Sequence, residues 1–553
     1  MTTNEMYSGW QDIPSAETRS MIRDASRQMG DLVRSTLGPL GMDKMVVRRM
    51  EDDRIRGFVS NDGVAIIEEF EGETNHPIAQ HFIRVAEDQE DDYGDGTTTM
   101  VLLASEFLST AMDLADQGVH PNDIIEGFSI AAQRTLERWD EMAIDLRATE
   151  GTLDHEKLEA IALTGMTNGR TGSWPLGDFA ETLVDGVLRV SDPATGGVRL
   201  DHAETIAVPG GNVTDSELVE GVMLPKELVV AEHLLPTTGS VLLIEGNLQS
   251  RSLSANVSIN VENNDDARRT AGGFNDSEAI AATIGLTDTV AVVVSGDVDM
   301  AIAKELARHG AVVMRNVKDS DFEYIAKATG ATARGPITPN SKIDPEMLGA
   351  ATVRFRDTGR DDDWVAFEPP AHVGAPAVTL LVRGGTQTTA EEAQRRIKDG
   401  KNALRASIKN PKALPAGGAA DMAAAVDIRS FANRFDGREQ LAIDAYADVL
   451  ESVPRTLARN AALDPITTVA DLRTRHHAGF ERAAISKNGV LVDDVTADGG
   501  GLEAFQVRAS GLIRAVEFAN KITRIDSVLL DGRPPSAERV LDEPRVKPGE
   551  VPE

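Results

Sequence analysis

The chain has 553 residues, enough for several domains with large hydrophobic cores. It carries 56 Lys and Arg against 89 Asp and Glu, which gives a net charge of -33. Such an acidic surface is typical of a protein adapted to a salt-rich cytosol, and it disfavours nucleic acids and anionic membranes as partners. The absence of cysteine excludes disulfides, thiolate catalysis and cysteine-bound zinc.

The first residues and the apolar runs of the chain indicate the cellular location of the protein. Met1 to Gly9 is polar and unlike a secretory signal peptide, and no apolar run approaches the length of a transmembrane helix. We therefore expect a cytoplasmic protein with neither a nucleic-acid nor a membrane partner.

Apolar residues at helical spacing dominate the first 145 residues. The first helix is expected to begin with Ser15 as its N-cap and to end at Gly38-Pro39. A β-hairpin is expected next, with its turn at Asn61-Asp62-Gly63 and its second strand at Ile66-Ile67. The other predicted helices of this region run from Pro77 to Glu90, from Thr97 to Gln117 and from Asn122 past Trp139.

The middle of the chain changes from a mixed pattern to an α/β pattern. Residues 153–210 contain short elements broken by glycine and proline, which is typical of a connecting domain. Farther on, two buried strands, a helix and a third strand predict a parallel βαβ unit. These elements are Val241 to Ile244, Val290 to Val294, Val298 to His309 and Ala311 to Met314.

A polar helix follows, and the helical pattern of the first region then returns. The polar helix is predicted through Glu391 to Gly400, and helical patterning continues to Leu463. Because both ends of the chain are helical, they are expected to form one discontinuous domain that receives the middle as an insertion. The chain would cross between the parts near 145–150 and near 400.

The stretch from Gly94 to Thr99 combines two glycines, an acid and three hydroxyls immediately before an apolar helix. The glycines let the backbone approach a ligand, and the N–H groups at the start of the helix favour an anion. Asp95 can then hold Mg²⁺ against phosphate oxygens. The stretch predicts a phosphate site, and the alternative from the residues alone is that Thr97 caps a core helix.

Two further acids are weak candidates for functional residues when each is considered alone. Asp62 lies in an Asn-Asp-Gly turn and Asp399 in a polar helix. The residues alone favour a tight turn for Asp62 and a solvated helix position for Asp399. A P-loop enzyme is disfavoured because no Gly-x4-Gly-Lys-Ser/Thr string is present.

The order of several motifs along the chain resembles that of the group II chaperonins, the archaeal thermosome and eukaryotic cytosolic type. The resemblance spans about residues 14–530, and any one of its motifs alone would be weak. The motifs are Leu37-Gly38-Pro39, Gly41 to Met45, Asn61-Asp62-Gly63, Gly94 to Thr99, His120-Pro121, Arg383 to Thr386, Asp399, Gly417-Gly418 and Arg524-Ile525-Asp526.

The resemblance implies a multidomain α and α/β fold. A mainly helical equatorial domain would consist of residues 1–147 and 402–553, with a mobile tail from about 531. A small intermediate domain would consist of residues 148–210 and 373–401, and an α/β apical domain of residues 211–372 would be inserted in the middle.

The resemblance also implies a function, that of an ATP-dependent molecular chaperone. The chain would be one subunit of a hexadecameric double ring, built from copies of itself or from paralogous subunits. The ring would bind non-native polypeptides and fold them in a chamber closed by ATP hydrolysis. ATP and Mg²⁺ would be the ligands, with K⁺ as a further candidate ion.

The matching motifs carry the family's site roles onto this sequence. Asp62 and Asp399 would be the catalytic acids of an ATPase, and Asp95 would hold the metal. The residues expected to bind the nucleotide are Leu37, Gly38, Pro39, Gly94, Asp95, Gly96, Thr97, Thr98, Thr99, Gly417 and Glu503.

Some positions depart from the family pattern and support an alternative function. Leu40, Ala65 and Ala416 replace the usual lysine, threonine and glycine, and the expected lid, residues 261–284, contains two adjacent glycines. The alternative is a specialised structural or regulatory ring subunit with a weak ATPase and an altered lid. Arg170 is the candidate for the family's nucleotide-sensing lysine.

Overall fold

The structure, a computed structural model, describes residues 10–49, 55–70, 76–148, 151–166, 176–192, 197–225, 228–230, 235–250, 277–339, 341–356, 364–370, 377–497 and 500–531. Helices and strands alternate in the middle of the chain, and helices dominate both ends. Within these ranges, the helices are too short or too polar to cross a lipid bilayer.

The first part of the chain is mainly helical. Its elements are β1 (Trp10–Ile13), α1 (Ser15–Arg34), β2 (Lys44–Arg49), β3 (Ile55–Ser60), α2 (Gly63–Glu68), α3 (Pro77–Tyr93), α4 (Thr97–Asp116), α5 (Pro121–Met142) and β4 (Ile144–Asp145).

The middle part mixes helices and strands. Its elements are α6 (His155–Met166), α7 (Leu176–Arg189), β5 (Ser191–Asp192), β6 (Gly197–Val198), β7 (Ala203–Pro209), β8 (Glu217–Glu220), β9 (Val222–Pro225), β10 (Leu228–Val230), β11 (Thr237–Ile244), α8 (277–285), β12 (Thr289–Val294), α9 (Met300–Arg308), β13 (Val312–Met314), α10 (Asp319–Thr329), β14 (Gly349–Arg356), β15 (Trp364–Glu368), β16 (Val378–Gly384) and α11 (Gln387–Lys409).

The last part is helical again. Its elements are β17 (Lys412–Pro415), α12 (Ala419–Ala432), α13 (Arg438–Leu450), α14 (Ser452–Asn460), α15 (Pro465–His477), β18 (Ala484–Ile485), β19 (Leu491–Val492), β20 (Leu502–Ala504), α16 (Phe505–Thr523) and β21 (Val528–Asp531).

One hydrophobic core joins the two ends of the chain. Helix α4 lies in this core, and it is buried on nearly all sides because its sequence is apolar around the whole helix. The ring of Phe107 packs against those of Phe128 and Tyr446, with centroids 5.4 and 4.7 Å apart. Strands β1 and β21 pair antiparallel, with Trp10 opposite Asp531.

The middle of the chain forms a seven-stranded sheet in the order β10-β13-β12-β11-β14-β15-β9. Strands β11, β12 and β13 are parallel, so the predicted βαβ unit is confirmed. Helices α8 and α9 cover one face and α10 covers the other. The strands are rich in valine because both faces of the sheet are buried.

A third core lies between these two regions. Helices α6, α7 and α11 pack together against strands that include β16 of the three-stranded sheet β7-β16-β8. The chain is therefore a multidomain α/β protein.

Several local predictions are wrong. Helix α1 ends at Arg34 and not at Gly38-Pro39. The N-cap of α1 is Pro14, and the Ser15 hydroxyl instead donates to Oδ1 of Asp526 over 2.7 Å. The hairpin consists of β2 and β3. Asp62 instead begins α2, because its side chain accepts a hydrogen bond from the Val64 N–H over 3.0 Å. The Asn-Asp-Gly string can start a helix because aspartate is a good N-cap. Helix α11 does not end at Gly400 but continues to Lys409.

Three predictions concern segments that lie wholly or partly outside the described residues. Of the expected lid, residues 277–284 are helical and 261–276 lie outside the described residues. Arg170 also lies outside them. Of the expected tail, Asp531 ends β21 and residues 532–553 lie outside the described part of the chain.

Candidate active site

Two glycines shape the loop between α3 and α4. Gly94 ends α3 with a φ of 62°, and Gly96 is the N-cap of α4 with a φ of 79°. Both values lie in the left-handed region that favours glycine. A Cβ on Gly96 would lie 2.7 Å from Cγ1 of Val507. Because Gly96 is the cap, the alternative in which Thr97 caps the helix is wrong.

This loop lines a cavity of about 600 Å³, which we term the phosphate cavity. The turn after α1, the start of α2, the α3–α4 loop and α11 all contribute to it. The predicted site residues along it are Leu37, Gly38, Asp62, Gly94, Asp95, Gly96, Thr97, Thr98, Thr99 and Asp399.

A second cavity of about 930 Å³, which we term the nucleoside cavity, is lined mainly by apolar side chains and glycines, including Leu40 and Ala416. Leu37, Gly38 and Thr99 line both this cavity and the phosphate cavity, so the two adjoin. The predicted site residues along it are Leu37, Gly38, Pro39, Thr99, Gly417 and Glu503.

A third cavity of about 2010 Å³, which we term the polar cavity, adjoins the phosphate cavity through a different set of residues. Asp62 and Asp399 belong to this shared set, with Glu90 and Arg395, and these four lie outside the lining of the nucleoside cavity. Asp62 and Asp399 therefore lie at the end of the phosphate cavity away from the nucleoside cavity. Ala65 lines the polar cavity.

The acids of the phosphate cavity repel one another. Burial, with Glu503 and Glu90 nearby, raises the pKa of Asp95 to about 7. Burial, with Asp62 and Asp95 nearby, raises the pKa of Asp399 well above its ordinary value. Burial and Glu90 also raise the pKa of Asp62. The three aspartates are half-buried because they line a cleft, yet the surrounding protein still disfavours their charge.

The residues present fit a nucleotide with a divalent cation. Mg²⁺ prefers carboxylate and phosphate oxygens, and it would offset the repulsion around Asp95. The N–H groups at the start of α4 and the guanidinium groups of Arg395 and Arg396 can donate to phosphate oxygens.

Helix α11 brings Asp399 to the cleft. Nδ2 of Asn402 donates to the Gly94 carbonyl over 3.3 Å. One turn earlier, Nζ of Lys398 lies 3.1 Å from Oε1 of Glu90. These contacts hold α11 against α3 and the loop, and Asp399 thereby lines the phosphate cavity.

Some residues along these cavities were not predicted from the sequence. Asn460 holds the turn after α1, because its Nδ2 donates to the carbonyls of Leu37 over 2.8 Å and Arg34 over 3.0 Å. Lys487 and Arg508 line the nucleoside cavity. A local motif does not mark Asn460, since it contacts Leu37 across 423 positions of sequence.

Comparison with known proteins identifies the family of this chain. The model of the TCP-1/cpn60 chaperonin family matches residues 29–533. Thermosome subunit alpha of Halobacterium salinarum is 35% identical over 522 residues, covering 93% of this chain and 89% of the relative. Thermosome subunit 1 of Haloferax volcanii is 35% identical, with 93% and 89% covered. The thermosome subunit of Methanopyrus kandleri is 34% identical, with 94% and 93% covered. Because the family model and the thermosome subunits match most of this chain, it belongs to the TCP-1/cpn60 chaperonin family, in the group II (thermosome) branch.

Proposed function

We propose that this protein is an ATP-dependent chaperonin subunit. It assembles into a hexadecameric double ring with copies of itself or with paralogous subunits, and the ring binds non-native polypeptides and folds them in a chamber closed by ATP hydrolysis. The observation that carries this proposal is the continuity of the three cavities, which aligns an apolar pocket, a glycine-rich anion loop and two acids.

The cores suggest how the proposed subunit is divided. The core shared by both chain ends supports an equatorial domain of residues 1–147 and 402–553. The core of α6, α7 and α11 supports an intermediate domain of residues 148–210 and 373–401. The seven-stranded sheet supports an apical domain of residues 211–372.

In the proposed binding mode, the nucleoside occupies the apolar cavity beside Gly417 and Glu503, and the phosphates lie along the loop from Gly94 to Thr99. Leu37 and Gly38 line both cavities, and Pro39 lines the nucleoside cavity beside them. Asp95 would hold Mg²⁺, which supplies positive charge against the phosphates when bound.

Asp62 and Asp399 are then at the terminal phosphate. Each can orient a water molecule and accept its proton. Because burial raises the pKa of Asp399, its carboxylate is a stronger base than an exposed aspartate once it is ionised. Its place on α11 makes hydrolysis depend on the contacts of this helix with α3.

The test is ATP hydrolysis by the purified protein in concentrated potassium chloride with Mg²⁺. Asp399→Asn is expected to lower kcat by about 100- to 10,000-fold while ATP binding stays within a few-fold, because general-base catalysis is removed without a loss of binding contacts. Asp444→Asn, at an exposed acid of α13, is the matched control. Equal turnover in the Asp399 and Asp444 variants would contradict the site.

The same assay distinguishes the proposed function from the alternative predicted from the sequence, a structural or regulatory ring subunit. Intact rings that bind ATP but do not turn it over would favour a structural or regulatory subunit. Leu40 and Ala416 in the wall of the nucleoside cavity are the residues to replace first in that case. A gain of turnover on addition of a paralogous subunit would support that role.

A further inference from the structure

A cluster of three charged side chains, two of them buried, lies at the nucleoside cavity. Arg508 of α16 and Asp421 in the first turn of α12 are only 8% and 2% exposed. Nη2 of Arg508 lies 2.6 and 2.7 Å from the two carboxylate oxygens of Asp421. Nε of Arg508 lies 3.0 Å from Oε2 of Glu503, whose side chain is 30% exposed.

Stability alone does not explain this cluster. Burying charges is unfavourable, and apolar side chains of similar volume often stabilise a core better than a buried ion pair does. Asp421 already lies in the first turn of α12, where a helix favours negative charge. With one arginine and two acids, the cluster keeps one excess negative charge close to a cavity, which points to a ligand-related role.

Glu503 is the member that faces the ligand. Among the described residues along the nucleoside cavity it is the one acid. An ionised carboxylate only accepts hydrogen bonds, and the donors of a nucleotide's neutral part are the ribose hydroxyls and the amino group of the base. Glu503 also lines a smaller cavity together with Asp95, Gly96 and Thr99. It therefore lies at the phosphate side of the nucleoside cavity, where the ribose rather than the base belongs.

Arg508 controls the state of this carboxylate. Burial and Asp421 raise the pKa of Glu503, and Arg508 opposes both. Without the guanidinium group, Glu503 would favour its protonated form, in which it is a weaker acceptor. The Nε–H of Arg508 makes no hydrogen bond to the described residues, so its contact with Glu503 is an ion pair. The Glu503 side chain is 30% exposed and lines the nucleoside cavity, where its carboxylate oxygens can accept further hydrogen bonds.

We propose that Arg508 is a positioning residue for ribose recognition, which holds the Glu503 carboxyl group in place to accept hydrogen bonds from the ribose hydroxyls of the bound nucleotide. The inference rests on the proposed ATP site. It assigns the cluster to specificity for ribonucleotides over deoxyribonucleotides.

The test is calorimetric titration of the full-length protein with ATP, 2′-deoxy-ATP and 3′-deoxy-ATP. The wild type is expected to bind ATP about tenfold more tightly than at least one deoxy analogue, since a hydrogen bond to a charged acceptor is lost. Arg508→Gln is expected to reduce this ratio to within about threefold, and Glu503→Gln to do the same. In the Glu503→Gln background, Arg508→Gln should change the ratio no further, because both act through one contact.

Arg473→Gln is the matched control, because Arg473 pairs with the buried Glu451 in the same helical core but lines none of the described cavities. It should lower stability and leave the ATP to deoxy-ATP ratio unchanged. Should Arg508→Gln fail to fold, the double variant Arg508→Gln/Asp421→Asn removes one of the two unpaired acids and is expected to show the same loss of discrimination.

The outcomes are distinct. An unchanged ratio in folded Arg508 variants would overturn the inference, as would a wild type that binds ATP without discrimination. A wild type that does not bind ATP would overturn the proposed function and this inference together.

Discussion

Asp95 combines two properties that compete with each other. It is surrounded by protein and by other acids, so the pKa of its carboxyl rises to about 7. In the proposed function it is also the metal ligand, and a carboxyl must lose its proton to bind a cation. Near neutral pH, a proton and Mg²⁺ therefore compete for the same oxygen atoms.

This competition predicts a pH dependence of nucleotide binding. Below a pKa of about 7 the Asp95 carboxyl is protonated, so the affinity for Mg²⁺-ATP should fall by up to about tenfold per pH unit as the pH drops from 7 to 5. Above the pKa the affinity should level off. Titration of ATP at fixed Mg²⁺ across this range checks the prediction.

Asp95→Asn is the control for that titration. The variant should bind Mg²⁺-ATP weakly, and its residual affinity should vary little with pH. A variant that kept the slope of the wild type would assign the titration to another group, of which Asp399 is the first candidate because its pKa is also raised.

Residues differ in how well their surroundings can be predicted from the sequence. The loop from Gly94 to Thr99 could be predicted as a glycine turn before a buried helix, because glycines and hydroxyls next to an apolar helix are a local pattern, whereas its role as a phosphate site stays a prediction. The Asp421–Arg508 pair and the Asn460–Leu37 contact join residues 87 and 423 positions apart. A local pattern does not mark such partners, because they meet only when α12, α14 and α16 pack.

Helix α11 is the element on which the proposed chemistry depends. At Gly400, next to Asp399, an added Cβ would lie 2.8 Å from Cγ of Met166 and 2.9 Å from Cδ2 of Leu183. Its close approach to α6 and α7 thus requires a residue without a side chain. The helix packs at this point with no room for a larger residue.

Gly400→Val should therefore displace α11 from α6. Overpacking is expected to destabilise the fold by about 1–3 kcal/mol, and the displacement of Asp399 should lower kcat more than it changes the affinity for ATP. Thermal unfolding and steady-state kinetics measure the two effects.

Gly385→Val tests the same substitution in open space just before α11, where an added Cβ meets nothing within 4 Å. It should change neither stability nor kcat appreciably. If the Gly400 variant kept its kcat while losing stability, the position of Asp399 would not depend on this packing.

Elements were predicted best where apolar spacing was regular. The predictions for α3, α4, α9 and the parallel strands hold because burial on one or both faces fixes their periodicity. The hairpin was misplaced because Asn61-Asp62-Gly63 can form either a turn or the start of a helix. The domain boundaries stay a prediction, and the one near 400 falls within a continuous helix.

The whole molecule carries a net charge of -33, and this charge acts against its compact state. Many arginines pair with acids on the surface, but such pairs contribute little each. Salt shortens the range of repulsion from about 10 Å at 0.1 M to about 3 Å at 1 M.

Salt should therefore stabilise this protein. We expect Tm to rise continuously as potassium chloride increases from about 0.1 to about 2 M, because screening weakens repulsion among like charges. Thermal unfolding followed by circular dichroism checks this. Sodium chloride at equal ionic strength separates general screening from a site that prefers K⁺, and a falling Tm would show that attractive ion pairs outweigh the net charge.

Strands β1 and β21 place Trp10 opposite Asp531 in one antiparallel pair. The first and last described strands therefore lie side by side, so a short linker could join them. A circular permutant that joins these strands through a short linker and opens at the exposed turn around Gly118, between α4 and α5, would keep the described packing. New ends at that turn would let a tag or a fluorophore be attached there instead of beside the β1–β21 pair.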